Sequence, residues 1–175
     1  MSFTRARALA TFGVLLVLAI AAVIVAVVRD SQNGPVAGRC HGTVLVNMAV
    51  PDSPEDVTVR VLNGTRQPGL AQAMTTDLRN RGFKTEKPGE VHQRVDDVAI
   101  LRYGPEAFSS AWLIRAYLLD SAEEEYDVKR KGAVVDVVVG SGYLALATPT
   151  EVNQSIKEIG APELPPGSCA APVKA

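Results

Sequence analysis

Between residues 8 and 28 the chain shows no polar alternation: 19 of the 21 positions are apolar, and only Thr11 and Gly13 interrupt the run. A helix rises about 1.5 Å per residue, so roughly 20 such residues cover the hydrocarbon core of a bilayer. The block is expected to cross a membrane once. Arg5, Arg7 and the amino terminus precede it without an acidic partner, whereas Arg29 and Asp30 cancel behind it. The positive-inside tendency then places residues 1–7 in the cytoplasm and everything beyond the 29–39 linker on the outer side. A cleaved signal peptide is the rival reading, but its apolar core runs only about 7 to 15 residues and ends at a small-x-small site, which Ala26-Val27-Val28 matches poorly. An uncleaved signal anchor is the reading adopted.

Beyond the linker the periods change. Residues 57–62 alternate as a half-buried strand does, and Asn63-Gly64 ends them with residues that accept positive φ. Leu70, Met74 and Leu78, joined by Ala71 and Ala73, then form one apolar stripe at helical spacing, with Gly82 where a left-handed cap is expected. Residues 83–87 read as a short second strand, 88–96 as a polar loop and 98–103 as a third strand stopped by Gly104-Pro105. Ala107, Ala111, Ile114 and Leu118 share one face of a second helix. Residues 120–131 set Glu123-Glu124-Glu125 near Lys129-Arg130-Lys131 and read as a solvated connection with local charge compensation. Residues 133–139 are β-branched apart from Asp136, the pattern of a largely buried strand, and Gly140-Ser141-Gly142 closes it.

The order is β-α-β-β-α-β. Two helices over one face of a small sheet predict an α+β, two-layer domain of the ferredoxin-like or split βαβ kind, or a relative of it. Residues 43–48 are a candidate edge strand, and residues 150–159 a candidate short helix before the proline-rich stretch 162–166. The predicted organisation is a cytoplasmic 1–7, a membrane segment 8–28, a linker 29–39 and an extracytoplasmic domain 40–175 whose core is 57–140.

Charge narrows the function classes. The chain holds 18 Lys and Arg against 19 Asp and Glu, which leaves none of the basic excess that phosphate-backbone binding requires, so nucleic acid is excluded as an expected partner. The two cysteines, Cys40 and Cys169, bracket the outer domain in a space that the inferred topology makes oxidising. A disulfide is the natural pairing and would, in the chain-entropy model, stabilise the fold by about 4 to 5 kcal/mol. Two free thiols are the alternative. No Cys-x-x-Cys occurs, and His41 and His92, the only histidines, stand far apart and read as loop residues, so no metal and no cofactor are expected.

Residues 64–69 follow the glycine spacing of a phosphate loop, but Leu70-Ala71 stands where the lysine and hydroxyl are needed, so nucleotide hydrolysis is rejected. Two readings remain for Asn63, Gly64, Thr65, Arg66 and Gly69. Unpaired N–H groups at a positive helix end, reinforced by Arg66, would suit a carboxylate of a peptide or sugar acid. Alternatively, the glycines merely permit a tight turn and close helix packing. Asn63-Gly64-Thr65 also fits a glycosylation sequon, for which turn formation is a sufficient explanation. Asp96-Asp97 has no matching cleft residue, Asp136 can face outward from its strand, and Trp112 and Tyr117 read as core or interface residues. No enzymatic activity is expected.

The string Val59-Arg60-Val61-Leu62-Asn63-Gly64-Thr65, then Pro68-Gly69-Leu70-Ala71 and Arg81-Gly82-Phe83, resembles the LytR C-terminal (LytR_C) domain family, as do the third strand ending in Tyr103 and the segment Val137-Val138-Val139-Gly140. The resemblance spans about residues 57–140. It implies a membrane-anchored, non-catalytic protein supporting the bacterial cell envelope, whose partners are the cytoplasmic membrane and cell-wall assembly proteins or peptidoglycan. Direct peptidoglycan binding, and service as an accessory subunit of a glycopolymer transferase, are the alternatives it leaves open.

Overall fold

The computed structural model describes residues 13, 15–23, 44–165 and 167–171. The chain divides into two compact units, Met1–Gly38 and Arg39–Ala175. In the first, residues 15–23 are helical with exposed side chains. No helix among the described residues is long and apolar enough to cross a membrane. The rest of the expected 8–28 span lies outside the described residues, as does the cytoplasmic stretch 1–7.

The second unit is built on a mixed sheet with strand order β3-β2-β7-β5-β6. Its strands are β2 (Thr58–Asn63), β3 (Lys84–Thr85), β4 (Gly89–Glu90), β5 (Ala99–Tyr103), β6 (Ala122–Tyr126) and β7 (Val134–Val139). β3 and β4 both pair parallel with β2, one at each end, and act as a broken edge strand. β2 and β7 run parallel, β7 and β5 antiparallel, and β5 and β6 parallel. The Val-rich β7 is central because its β-branched side chains are buried on both faces, Val135, Val137 and Val139 on one and Val138 on the other.

Three helices follow from the sequence periods. α1 (Leu70–Asn80) buries Ala71, Met74, Thr75 and Leu78. It ends at Gly82, whose φ of +94° is the left-handed conformation expected there. α2 (Phe108–Tyr117) is buried on nearly every side, since α1 and the sheet lie within the same core and α3 (Pro149–Ile159) covers its outer face through Ala116, Val152 and Ile156. α3 starts with a capping box in which Thr148 and Glu151 satisfy each other's backbone N–H groups.

The α+β class is as expected, but the ferredoxin-like arrangement is not. Each βαβ unit, β2-α1-β3 and β5-α2-β6, closes on neighbouring strands instead of being split by an inserted one, and β7 joins the two units. β6 itself corrects the reading of residues 120–131 as a mere connection. The candidate strand at 43–48 is real, but as β1 (Val44–Val46) it pairs in parallel with β8 (Ser168–Ala170) in a separate two-stranded sheet.

Candidate functional site

The loop from β2 to α1 is organised by Asn63, which is 5% exposed. Its Oδ1 accepts from the Thr65 backbone N–H at 3.0 Å and the Thr65 hydroxyl at 2.8 Å, while its Nδ2 donates to the Gln67 carbonyl at 2.9 Å. Thr65 Oγ1 in turn accepts from Gln67 N at 3.0 Å. These bonds commit the polar atoms of Asn63 and Thr65 to holding the turn, so the amide of the sequon is internal. Gly64 is required by closeness: a Cβ there would stand 2.9 Å from Val95 Cγ2 and 3.0 Å from the Val139 carbonyl. Gly69 caps α1 at φ +80° without a side-chain hydrogen bond to the helix end.

Arg66 takes no part in this network. It is exposed and makes no hydrogen bond or ion pair with another described residue. The recess beside the loop, about 150 Å³, is lined by Asn63, Gly69, Gln72 and Glu90, and Arg66 is not part of it. The structure thus brings Asn63, Gly64 and Thr65 together as a turn, sets Gly69 at the helix start and leaves Arg66 on the surface. Arg94 donates to the Thr65 carbonyl from the 91–97 loop.

A second constellation lies on the sheet face opposite the helices. Asp136, 3% exposed, accepts from Arg60 Nε at 2.8 Å, Arg60 Nη2 at 2.7 Å and Arg130 Nη2 at 2.8 Å. Burial alone would raise its pKa, but the hydrogen bonds and charges of the two guanidiniums outweigh that and hold it below the ordinary aspartate range. Asp136 is therefore not the outward-facing residue its strand pattern allowed. Its register partners are Arg60 on β2 and Arg102 on β5, and Arg102 pairs with Glu125 on β6 at 2.5 Å. Charges consequently alternate along one row across four strands. The sequence signal existed: Arg60, Arg102 and Asp136 are the only charged residues of β2, β5 and β7.

Of the other candidates, Tyr103 and Trp112 are buried, at 2% and 7% exposure, and Tyr117 packs edge-on against Phe83 at 4.8 Å, so all three serve the core. Trp112 Nε1 has no hydrogen-bond partner among the described residues. Tyr103 donates its hydroxyl to Glu124 at 2.6 Å, and burial together with that bond pushes its pKa upward. Asp96, Asp97 and His92 are exposed. Asp96 and Asp97 form a turn whose carbonyls accept from Ser141 Oγ at 3.2 Å and Gly142 N at 3.1 Å. Among the described residues no group of three His, Cys, Asp or Glu is placed to hold a metal ion. Cys169 is buried in β8, and Cys40 and His41 lie outside the described residues.

Fold and loop together define a small mixed α+β module with an ordered strand-to-helix turn. Residues 56–143 match the family described as LytR cell envelope-related transcriptional attenuator (LytR_C), half of the 175-residue chain, and the chain belongs to that family. The fold is similar to the soluble domain of a conserved hypothetical secreted protein of Mycobacterium marinum, the ortholog of Rv2700. That likeness has a TM-score of 0.52 at 19% identity and covers 69% of this chain and 82% of the other. No curated protein matches the chain.

Proposed function

We propose that this chain is a membrane-tethered, extracytoplasmic protein of the bacterial cell envelope that acts by non-covalent contact, as a binding or scaffold module without catalysis. The observation that carries the reading is the LytR_C match over residues 56–143, which coincides with the sheet-and-helix core. The 8–28 apolar block supplies the tether, and its flanking charges favour an outward domain. A Cys40–Cys169 disulfide closing the ends of the domain belongs to the same proposal, since an outward domain lies in an oxidising space.

The non-catalytic part draws support from how the polar groups are used. Asn63 and Thr65 spend their atoms on the turn, and Asp136 is saturated by two arginines. The contact surface we favour is the 63–69 loop, because Arg66 is exposed beside a helix start without a side-chain cap. A photo-crosslinking residue at position 66 of the full chain in growing cells tests this. Capture of cell-wall assembly proteins or peptidoglycan is expected. Capture only of cytoplasmic proteins would refute the reading.

A further inference from the structure

Asn63-Gly64 is a dipeptide with a covalent chemistry of its own. An asparagine followed by glycine is open to attack by the next backbone nitrogen, because glycine has no Cβ to obstruct ring closure. The Gly64 nitrogen gives up its proton to water and bonds to Asn63 Cγ, the Cγ–Nδ2 bond breaks, and ammonia leaves. Water then opens the cyclic imide at either carbonyl, giving aspartate or isoaspartate with no change of oxidation state. Ring closure needs rotation about the Asn63 Cα–C bond, which swings the Gly64 nitrogen toward the side chain. It also needs that nitrogen to be free of its proton.

The fold blocks both requirements. β2 keeps Asn63 extended as the last residue of the strand. The peptide group that must turn is held at both ends: the Asn63 carbonyl accepts from Val91 N at 3.1 Å, and the Gly64 N–H donates to the Val139 carbonyl at 2.9 Å. Gly64 is buried, its own carbonyl accepts from Val95 N at 3.0 Å, and Val95 Cγ2 fills the space where a Cβ would stand. The leaving amide is held too, since Nδ2 donates to the Gln67 carbonyl while Oδ1 accepts two bonds from Thr65. We propose that Asn63-Gly64 is a deamidation site held shut by the fold, reacting only when the β2–α1 turn and the 91–95 segment open together. The opening is then one-way. An aspartate here has no Nδ2 donor and sets a carboxylate oxygen against the Gln67 carbonyl, and isoaspartate adds a main-chain carbon to β2 at its register with Val139. This chemistry is independent of the contact function proposed for the loop.

The test incubates the full chain at mildly alkaline pH, folded in detergent micelles or unfolded in guanidinium. Trypsin then releases residues 61–66, since Arg60 and Arg66 flank them, and mass spectrometry follows the conversion of amide to acid. Asn33-Gly34, the same dipeptide in the linker, serves as the chemical control in denaturant. Conversion at Asn63 is expected to be at least about tenfold slower in the folded chain than in denaturant, because chemistry at a closed site waits for local opening. Thr65→Val removes both hydroxyl bonds of the turn, and Val95→Ala empties the space beside Gly64. Each should raise the folded-state rate about threefold or more while circular dichroism stays that of the wild type. Asn63→Asp should lower Tm. Equal rates in folded and unfolded chains, no conversion at Asn63 in denaturant, folded-state rates that neither variant raises, or a wild-type Tm for Asn63→Asp would overturn the inference. Crosslinking at position 66 reads a different property, so the two proposals fall separately.

Discussion

Replacing Asp136 by asparagine tests the charged row at its centre. The carboxylate receives three charge-assisted hydrogen bonds, at 2.7 to 2.8 Å, while only 3% of the residue is exposed. Such bonds contribute about 1.5 to 3 kcal/mol each, and breaking a fully buried pair costs about 3 to 5 kcal/mol. The Arg60 and Arg130 side chains retain 41% and 26% exposure, so water rehydrates them and the loss is smaller than for a sealed pair. Asparagine keeps one acceptor but turns an amide donor toward guanidinium donors. A loss of about 2 to 3 kcal/mol follows, or about 8 to 12 °C in Tm for a domain of this size.

The pH dependence sharpens the test. Asp136 has a folded-state pKa below its ordinary value of 3.8, so the fold favours the charged form. Its stabilisation is therefore fully present above about pH 4 and is lost as pH falls through the lowered pKa. Denaturant titrations of wild type and Asp136→Asn should show a stability gap that is constant from pH 7 to about 5 and closes on further acidification. A gap below about 0.5 kcal/mol at pH 7, or one that does not narrow in acid, would refute the assignment.

Other substitutions probe the turns and the core. Gly104→Ala would drive a Cβ into the Arg130 carbonyl, so it should cost about 1 to 3 kcal/mol in thermal unfolding and loosen the Arg130–Asp136 contact. Leu78→Ala empties a fully buried site on α1 and should cost about 2 to 5 kcal/mol by denaturant titration. Arg66→Glu should leave Tm within about 2 °C of wild type, because the side chain is exposed and has no ion pair among the described residues; a larger drop would show a structural role for it. The unreduced full chain should resist thiol alkylation and gain two labels after reduction, read by mass; labelling without reduction would remove the proposed disulfide.

How far the fold was legible varied with the strength of each local signal. The stripe through Met74 and Leu78 and the Gly82 stop located α1, since one buried face and one left-handed cap are local properties. The β-branched run in 134–139 located β7 for the same reason. β6 escaped because Glu123, Glu124 and Glu125 give an edge strand no apolar face; its pairing depends on Arg102, Tyr103 and Arg115, which are remote in sequence. Strand order was hidden because neighbours such as β2 and β7 are chosen by packing, as was the pairing of Val44–Val46 with Ser168–Ala170 across more than a hundred residues. The β2–α1 turn was identified correctly by its residue types. Its internal hydrogen bonds, and the burial of Asp136 by Arg60 and Arg130, needed the fold.

Outward placement of the domain is the premise beneath both the contact function and the disulfide. Reporter fusions behind Ala175 measure it directly, one enzyme active only outside the cytoplasm and one only within. Activity of the first with silence of the second is the predicted result. The reverse pattern, with both fusions produced at equal levels, would contradict the account.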